Sequence, residues 1–115
     1  LAERKQVPLD SALAGHIEPL TLRTYVGAPK DVTVRRTLNH IAGLPLHFRF
    51  FYEDDAERWP ALEDTIRRYG MVPFPPGERY RYSNLGYAIL GYIIGRRSGK
   101  SYAEFIRKEI FDPLE

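Results

Sequence analysis

The 115-residue sequence contains no cysteine, only one tryptophan and one methionine, and no long apolar run. Without cysteine it can form neither a disulfide framework nor a thiolate metal site, which leaves the redox compartment open. No stretch approaches the roughly 20 apolar residues that a transmembrane helix needs. We therefore predict neither a disulfide-stapled scaffold nor a membrane span within these residues.

A strong charge imbalance is also missing. Seventeen Lys and Arg residues face 15 Asp and Glu residues, giving a net charge of +2. The arginines occur as scattered pairs with acidic residues between them, namely Arg35-Arg36, Arg67-Arg68 and Arg96-Arg97. A nucleic-acid surface usually gathers its basic residues on one face. We therefore do not expect a nucleic-acid partner.

The composition is that of a globular domain, with 43% hydrophobic and 28% charged residues. The first residue is Leu1 rather than Met, and no signal-peptide pattern follows it. We interpret the chain as an internal segment of a longer protein.

The first half of the chain predicts two helices around a loop. Asp10 is suited to cap a short helix through residues 11–13 that ends near Gly15, and residues 16–32 are predicted to be loop. A clearer helix begins after an N-cap at Thr33, and Gly43 suits the left-handed position that follows its end.

The second half predicts three more helices. Residues 59–69 carry apolar side chains, including Trp59, at helical spacing, and Gly70 ends the run. A helix over residues 84–97 is apolar almost all round, which predicts burial. Its Gly91 and Gly95, four residues apart, are expected to let another backbone approach closely. A capping box at residues 101–104 begins a last helix that ends near Pro113.

The segment at residues 75–87, PPGERYRYSNLGY, delivers an extended stretch into a helix N-terminus. Because alternate residues of an extended backbone point the same way, Tyr82 and Asn84 should share one side while Ser83 points elsewhere. The helix dipole, and still more a nearby lysine, would favour a phenolate at Tyr82 for acid–base chemistry. Equally, Tyr82 fits a half-buried aromatic and Ser83 or Asn84 a simple helix cap. Spacing leaves both interpretations open.

Other chemical patterns are weak. His16, His40 and His47 form no H-x-x-x-H pair, and Asp54-Asp55 lacks a calcium loop around it, so no metal site is expected. No G-x-S-x-G pattern surrounds Ser83, which argues against a Ser–His–Asp triad there. We expect His40 to satisfy carbonyl groups at its helix end.

Four blocks, in order, resemble one family. Residues 75–87 are similar to the Tyr-x-Asn motif of class C β-lactamases and related penicillin-binding-protein-type serine hydrolases. Residues 31–45, ending in TLNHIAGLP, resemble that family's helix and its "NHTSGLP" turn, with Ile41-Ala42 in place of Thr-Ser. Residues 98–114 resemble the segment after the tyrosine motif, and Leu9-Asp10 matches the "LD" after the nucleophile-bearing helix.

The resemblance implies roles for two residues. Tyr82 corresponds to the catalytic tyrosine that handles the proton of the nucleophilic serine, and Asn84 to the substrate-binding amide. The family's other two motifs are absent, since no serine is followed three residues later by lysine and no Lys-Thr-Gly occurs. Ser98-Gly99-Lys100 is a reversed look-alike in a predicted turn between helices.

The resemblance also implies a fold and an activity. We expect a mostly α structure, the helical lobe of the α/β β-lactamase/transpeptidase-like fold with the sheet lobe largely absent. Residues 1–115 would be a single fragment with the nucleophile motif upstream and the third motif downstream. The parent would form an acyl-enzyme on an ester, amide or β-lactam of small-molecule or peptide-like type, without cofactor or metal, whereas this chain alone would be inactive.

The alternative is a non-catalytic binding module that keeps the helical scaffold. Family analogy suggests a parent exported to the periplasm or cell envelope, and the oligomeric state is left open. In either case the missing lobe predicts an exposed apolar face on this fragment.

Overall fold

The computed structural model describes residues 1–46 and 60–114, of which about half are helical. The α-helices, in chain order, are α1 (Ala14–Ile17), α2 (Val34–Leu38), α3 (Leu62–Tyr69), α4 (Asn84–Ser98) and α5 (Tyr102–Ile106). Two short strands, β1 (Arg23–Thr24) and β2 (Met71–Val72), pair in parallel, with Arg23 opposite Met71 and Thr24 opposite Val72. The mostly helical fold class predicted from the sequence is confirmed.

Helix α4 is the centre of the fold, and α1, α2, α3 and α5 all contact it. Leu85, Ile89 and Ile93 lie at i, i+4 and i+8 on its buried face and are almost fully enclosed. Burial of side chains of this size contributes roughly 1.5–3 kcal/mol each relative to exposure. The opposite face is partly open, because Tyr87 is half exposed.

The predicted helix caps are confirmed at several ends. Thr33 accepts a hydrogen bond from the backbone N–H of Arg36 at the start of α2. Ser101 and Glu104 form the reciprocal capping box at the start of α5. Gly70 follows α3, and Gly99 follows α4 with a left-handed φ of 67°. These ends are set by local side-chain chemistry, which a sequence displays directly.

The helix predicted after Asp10 is displaced along the chain. Asp10 does not cap it but accepts two hydrogen bonds from Arg35, at 2.6 and 2.9 Å. Ala12 pairs with Thr33 across an isolated antiparallel bridge, and the N–H of Leu13 donates to Val32 O at 2.8 Å. This long-range pairing keeps Ser11 and Ala12 out of the helix, and α1 begins at Ala14, directly after Leu13 with φ −56° and ψ −38°.

The prediction that residues 16–32 are loop is wrong in part. They contain the end of α1, strand β1 and a 3₁₀ turn at Pro29–Asp31. Strand β1 is held by residues from the other half of the chain, since Arg23 N–H donates to Gly70 O and Tyr25 N–H to Val72 O. A two-residue strand fixed by such distant partners leaves no periodic pattern in its own sequence.

The prediction that α2 runs to Gly43 is wrong. The helix ends at Leu38 in a turn where the N–H of Ile41 donates to Arg36 O and the N–H of His40 to Thr37 O. This is the Schellman arrangement, and His40 takes its left-handed position with a φ of 58°. Gly43 is also left-handed, but it serves close packing, since a Cβ there would lie 2.1 Å from Phe74 O.

The close backbone approach expected at Gly91 and Gly95 is not found. A Cβ on Gly91 would meet only Tyr102 Cδ2, at 3.7 Å, and one on Gly95 only Lys100 O, at 3.5 Å, both ordinary contact distances. These glycines instead line an open, mostly apolar groove of about 640 Å³ between α3, α4 and Tyr102. The groove is one part of the exposed apolar surface that the sequence predicted.

The start of the helix predicted over residues 59–69 and the end of the last predicted helix differ slightly from expectation. Helix α3 begins at Leu62, and Trp59 lies outside the described residues. After α5 the chain continues as a π-helical turn at Arg107–Phe111 and a 3₁₀ turn at Asp112–Leu114, which contains Pro113. No helix in the described part of the chain is both long and apolar enough to cross a membrane.

Candidate active site

The segment that carries Tyr82 is launched by a tight turn. Gly77 has a left-handed φ of 89°, and its N–H donates to Ile41 O at 2.7 Å. The guanidinium of Arg36 lies 3.1 Å from where a Cβ on Gly77 would be. The turn therefore ties the start of the tyrosine segment to the end of α2.

The three residues of the Tyr-Ser-Asn run alternate in exposure. Tyr82 is 51% exposed and Asn84 is also exposed, whereas Ser83 between them is 3% exposed. Ser83 has extended dihedral angles, with φ −138° and ψ 108°. The predicted division, with Tyr82 and Asn84 on the open side and Ser83 elsewhere, is what the structure has.

Ser83 is a structural residue. Its hydroxyl donates to Pro45 O at 2.6 Å and accepts from the N–H of Gly86 at 2.9 Å, which caps α4. The donated proton is thus directed at a backbone carbonyl and not at a general base. Both bonds of the hydroxyl hold α4 against residues 40–46, the segment after α2 that is called the 40–46 turn below. The hydroxyl therefore has no nucleophilic role in this arrangement.

The backbone around Tyr82 is anchored to that same turn. Arg81 N–H donates to His40 O at 2.7 Å, and Asn84 N–H donates to Leu46 O at 2.9 Å. A Cβ on Gly86 would lie only 3.1 Å from Thr37 Cγ2 and 3.3 Å from Leu44 Cδ1. Gly86 therefore permits close packing of side chains against α4, whereas close packing, of another backbone, was predicted at Gly91 and Gly95.

The prediction that His40 satisfies a helix-end carbonyl holds for its backbone, whose N–H donates to Thr37 O, but its side chain does not take this role. Its Nδ1 instead accepts a hydrogen bond from the backbone N–H of Ser83 at 3.1 Å. The hydroxyl of Tyr87 binds the helix-end carbonyl of Leu38, at 3.0 Å. The ring of His40 lies among three tyrosines, with centroids 4.5 Å from Tyr82, 4.9 Å from Tyr87 and 5.6 Å from Tyr80.

Sequence reasoning missed this role of His40. The sequence did show three tyrosines close together, at positions 80, 82 and 87. Because such aromatic side chains are partly buried, they are expected to pack against another surface of the protein. Only the tertiary structure shows that this surface is His40, which lies 42 residues before Tyr82.

A second serine–histidine contact lies elsewhere. Ser11 Oγ is 2.6 Å from His16 Nε2, and an Arg97 nitrogen is 3.0 Å from His16 Nδ1. Since arginine only donates, Nδ1 must be the acceptor and Nε2 carries the proton. Ser11 in turn donates to Pro8 O at 2.6 Å. His16 is thus a hydrogen-bond donor to Ser11 and cannot act as its base.

The environment of His16 keeps its ring neutral. Burial lowers the pKa of His16 below its usual 6.5, and the neighbouring Arg97 charge lowers it further. A neutral ring is what the Arg97 contact requires, since protonated Nδ1 would face a guanidinium. The contact joins α1 to α4 and is structural.

The residues considered for metal binding do not converge. Within residues 1–46 and 60–114, no three His, Asp or Glu side chains are grouped so as to hold a metal ion. His47, Asp54 and Asp55 lie outside the described residues. The polar groups near one another in this part of the structure are the phenol of Tyr82, the amide of Asn84 and the imidazole of His40.

Comparison with known proteins agrees with this geometry. The family model described as Beta-lactamase matches residues 1–115. Penicillin-binding protein 4* of Bacillus subtilis is 39% identical over 89 residues, which cover 73% of this chain and 20% of that protein.

Solved structures give the same result. A beta-lactamase/D-alanine carboxypeptidase from Yersinia pestis superposes with a TM-score of 0.77 at 27% identity, covering 99% of this chain and 33% of that chain. The octameric penicillin-binding protein homologue from Pyrococcus abyssi gives a TM-score of 0.75 at 32% identity, over 99% of this chain and 27% of that one.

The chain thus spans between 20% and 33% of the length of these relatives. The resemblance inferred from the four sequence blocks is confirmed, because the family match extends over every one of them. On this evidence of sequence and fold together, the chain belongs to the beta-lactamase family of serine hydrolases.

Proposed function

We propose that the intact protein hydrolyses an ester, amide or β-lactam through an acyl-enzyme, and that residues 1–115 supply one part of its active site. The observation that carries the proposal is the exposed pair Tyr82 and Asn84. Both sit on a backbone tied to the 40–46 turn, in a chain that matches the family along its whole length. Its relatives include proteins described as penicillin-binding proteins and a D-alanine carboxypeptidase, which suggests peptide-like substrates.

The chain as given lacks a Ser-x-x-Lys sequence and covers 27% to 37% of the solved structures it resembles. The proposal therefore places the nucleophilic serine and its lysine outside these 115 residues, as it does the third motif. The serine Oγ would form a bond to the substrate carbonyl carbon while the bond to the leaving group breaks. Water would then release the acyl group and restore the serine.

Tyr82 is proposed as the catalytic residue that transfers a proton in these steps. In its phenolate form, stabilised by the lysine, Tyr82 would take the serine proton during attack and then, as the phenol, pass it to the departing oxygen or nitrogen. Asn84 is proposed to bind the substrate, because its amide can both donate and accept toward an amide or carbonyl group. By itself this chain would then be inactive, because nucleophile and base must be within hydrogen-bond reach of one another.

The test is hydrolysis of p-nitrophenyl butyrate and nitrocefin by the full-length protein and its Tyr82→Phe variant. Loss of a proton-transfer group should lower kcat by about 10²- to 10⁴-fold. Tyr102→Phe is the matched control, since Tyr102 is 53% exposed, much like Tyr82 at 51%, yet lies on α5. We expect Tyr102→Phe to retain wild-type kcat.

Asn84→Asp tests the binding role with a side chain of the same shape. An ionised carboxylate only accepts hydrogen bonds and cannot donate where the amide does, so kcat/KM should fall by roughly 10-fold or more. Equal rates for wild type and Tyr82→Phe would refute the proton-transfer role. Absence of turnover in a folded wild-type protein would instead favour a binding module that keeps the family scaffold.

A further inference from the structure

His40 holds the tyrosine segment on both sides of Tyr82. Its carbonyl oxygen accepts from the N–H of Arg81 at 2.7 Å, and its Nδ1 accepts from the N–H of Ser83 at 3.1 Å. Between these two bonds its ring packs on the ring of Tyr82, with centroids 4.5 Å apart. One residue thus contacts residue 81, 82 and 83 in turn.

The backbone of His40 is in an unfavourable conformation. Its φ of 58° lies in the left-handed region, where most non-glycine residues are disfavoured by about 1–2 kcal/mol. Glycine is the usual residue at this position of a Schellman turn. Glycine would relieve the backbone but would leave the N–H of Ser83 without its acceptor and Tyr82 without its neighbour. The side chain of His40 therefore does something that the turn alone does not require.

The orientation of the ring indicates packing rather than proton exchange with Tyr82. The planes of the two rings are inclined by 36°, so they meet obliquely by their faces, and His40 is nearly parallel to Tyr87, at 22°. Nδ1 is occupied by Ser83. Since that nitrogen accepts, the proton of the neutral ring is on Nε2. Tyr82 is consequently bounded on one face by a ring that is itself fixed by a backbone hydrogen bond.

We propose that His40 is a positioning residue for Tyr82, fixing the direction in which the phenol points through the Ser83 hydrogen bond and the ring contact. The proposal rests on the proposed function of Tyr82. A phenol misplaced by about 1 Å can cost on the order of 100-fold in rate, because proton transfer depends steeply on geometry.

Two substitutions separate the two contacts. His40→Phe keeps an aromatic ring and removes the acceptor, leaving the N–H of buried Ser83 unsatisfied. His40→Asn keeps an oxygen acceptor on the same branch position and suits the left-handed backbone, but removes the ring. With p-nitrophenyl butyrate and the full-length protein, we expect His40→Phe to lower kcat by about 10- to 100-fold with KM within about 3-fold. His40→Asn should recover part of that loss.

A double-mutant cycle with Tyr82→Phe distinguishes positioning from general stabilisation. If His40 acts through Tyr82, adding His40→Phe to Tyr82→Phe should change kcat by less than about 2-fold. The same fold-loss in both backgrounds would overturn the proposal, since His40 would then support the fold and not the phenol. Full activity of both His40 variants would overturn it as well.

Failure of the two proposals can be told apart. If Tyr82→Phe is as active as wild type, the function proposed for Tyr82 fails and the role of His40 falls with it. If Tyr82→Phe is slow and the His40 variants are not, only the positioning role fails. Circular dichroism and thermal unfolding establish that each variant is folded. Should His40→Phe not fold, His40→Asn alone, with and without Tyr82→Phe, completes the cycle.

Discussion

Two glycines of the described chain, Gly43 and Gly99, have nearly the same left-handed backbone but very different surroundings. Their φ values are 76° and 67°. A Cβ on Gly43 would lie 2.1 Å from Phe74 O, whereas one on Gly99 would have nothing within 4 Å. Substitutions at these two glycines therefore separate the free-energy cost of a left-handed backbone from the cost of a steric clash at the added Cβ.

We predict that Gly43→Ala destabilises the protein by at least about 3 kcal/mol and Gly99→Ala by about 1–2 kcal/mol. The second value is the left-handed penalty alone, while the first adds a clash with a backbone atom that cannot move cheaply. Urea unfolding of the full-length variants, analysed by linear extrapolation, measures both. Equal losses would mean that the turn at Gly43 moves away from Phe74 at little cost.

His40 shows at the same scale why some residue roles are hidden in a sequence. Its contact with Ser83 joins residues 43 positions apart, and its left-handed φ of 58° contradicts the preference of its residue type. Tyr82 and Asn84, by contrast, were recognisable from a local motif, and their exposure on either side of buried Ser83 follows from strand alternation alone. Their catalytic and binding roles stay predictions until Tyr82→Phe and Asn84→Asp are measured.

Among the elements, α4 and α5 are both capped by a serine, but in different environments. Ser83 is 3% exposed, and it binds Pro45 O as well as the N–H of Gly86. Ser101 is exposed and exchanges its bonds with Glu104 in a capping box. The same residue type thus serves one central helix and one peripheral one.

We predict that Ser83→Ala costs about 2–3 kcal/mol of unfolding free energy and Ser101→Ala about 0.5–1 kcal/mol. Removing the Ser83 hydroxyl leaves the partly buried carbonyl of Pro45 and the buried N–H of Gly86 without this partner, whereas water can replace Ser101. Denaturant unfolding of the two variants gives the comparison. A Ser101→Ala loss as large as that of Ser83→Ala would show that α5 is more tightly coupled to the fold than its exposure suggests.

Several helix ends that depend on local chemistry were predictable, although the local turn at His40 that ends α2 was not. Elements that depend on distant contacts were not predictable. Thr33, Gly70, Gly99 and the Ser101 capping box lie where the sequence placed them. Helix α1 was misplaced because residues 11–13 pair with residues 32–34, and strand β1 was missed because it pairs with β2. Periodicity carries no information on such pairings.

At the scale of the whole molecule, the apolar groove beside α4 bears on how the chain behaves when it is separated from the rest of a longer protein. It is an open space of about 640 Å³ whose lining is mostly apolar, and Tyr87 and Tyr102 at its walls are 50% and 53% exposed. The chain spans 27% to 37% of the length of the solved structures it resembles. Apolar patches of this kind on isolated units promote association.

We predict that the 115-residue chain produced alone self-associates through this groove and that Ala88→Glu suppresses the association. Ala88 lines the groove, and a carboxylate there would have to be desolvated on contact with another apolar surface. Ala103→Glu is the matched control, since Ala103 is exposed on α5 and does not line the groove. Sedimentation velocity over a range of concentrations should give a rising weight-average sedimentation coefficient for wild type and Ala103→Glu but a constant one for Ala88→Glu.

Far-UV circular dichroism of all three proteins would first establish that they share one fold. If Ala88→Glu associates as wild type does, another apolar surface drives the association, and the groove stays exposed to solvent without promoting it.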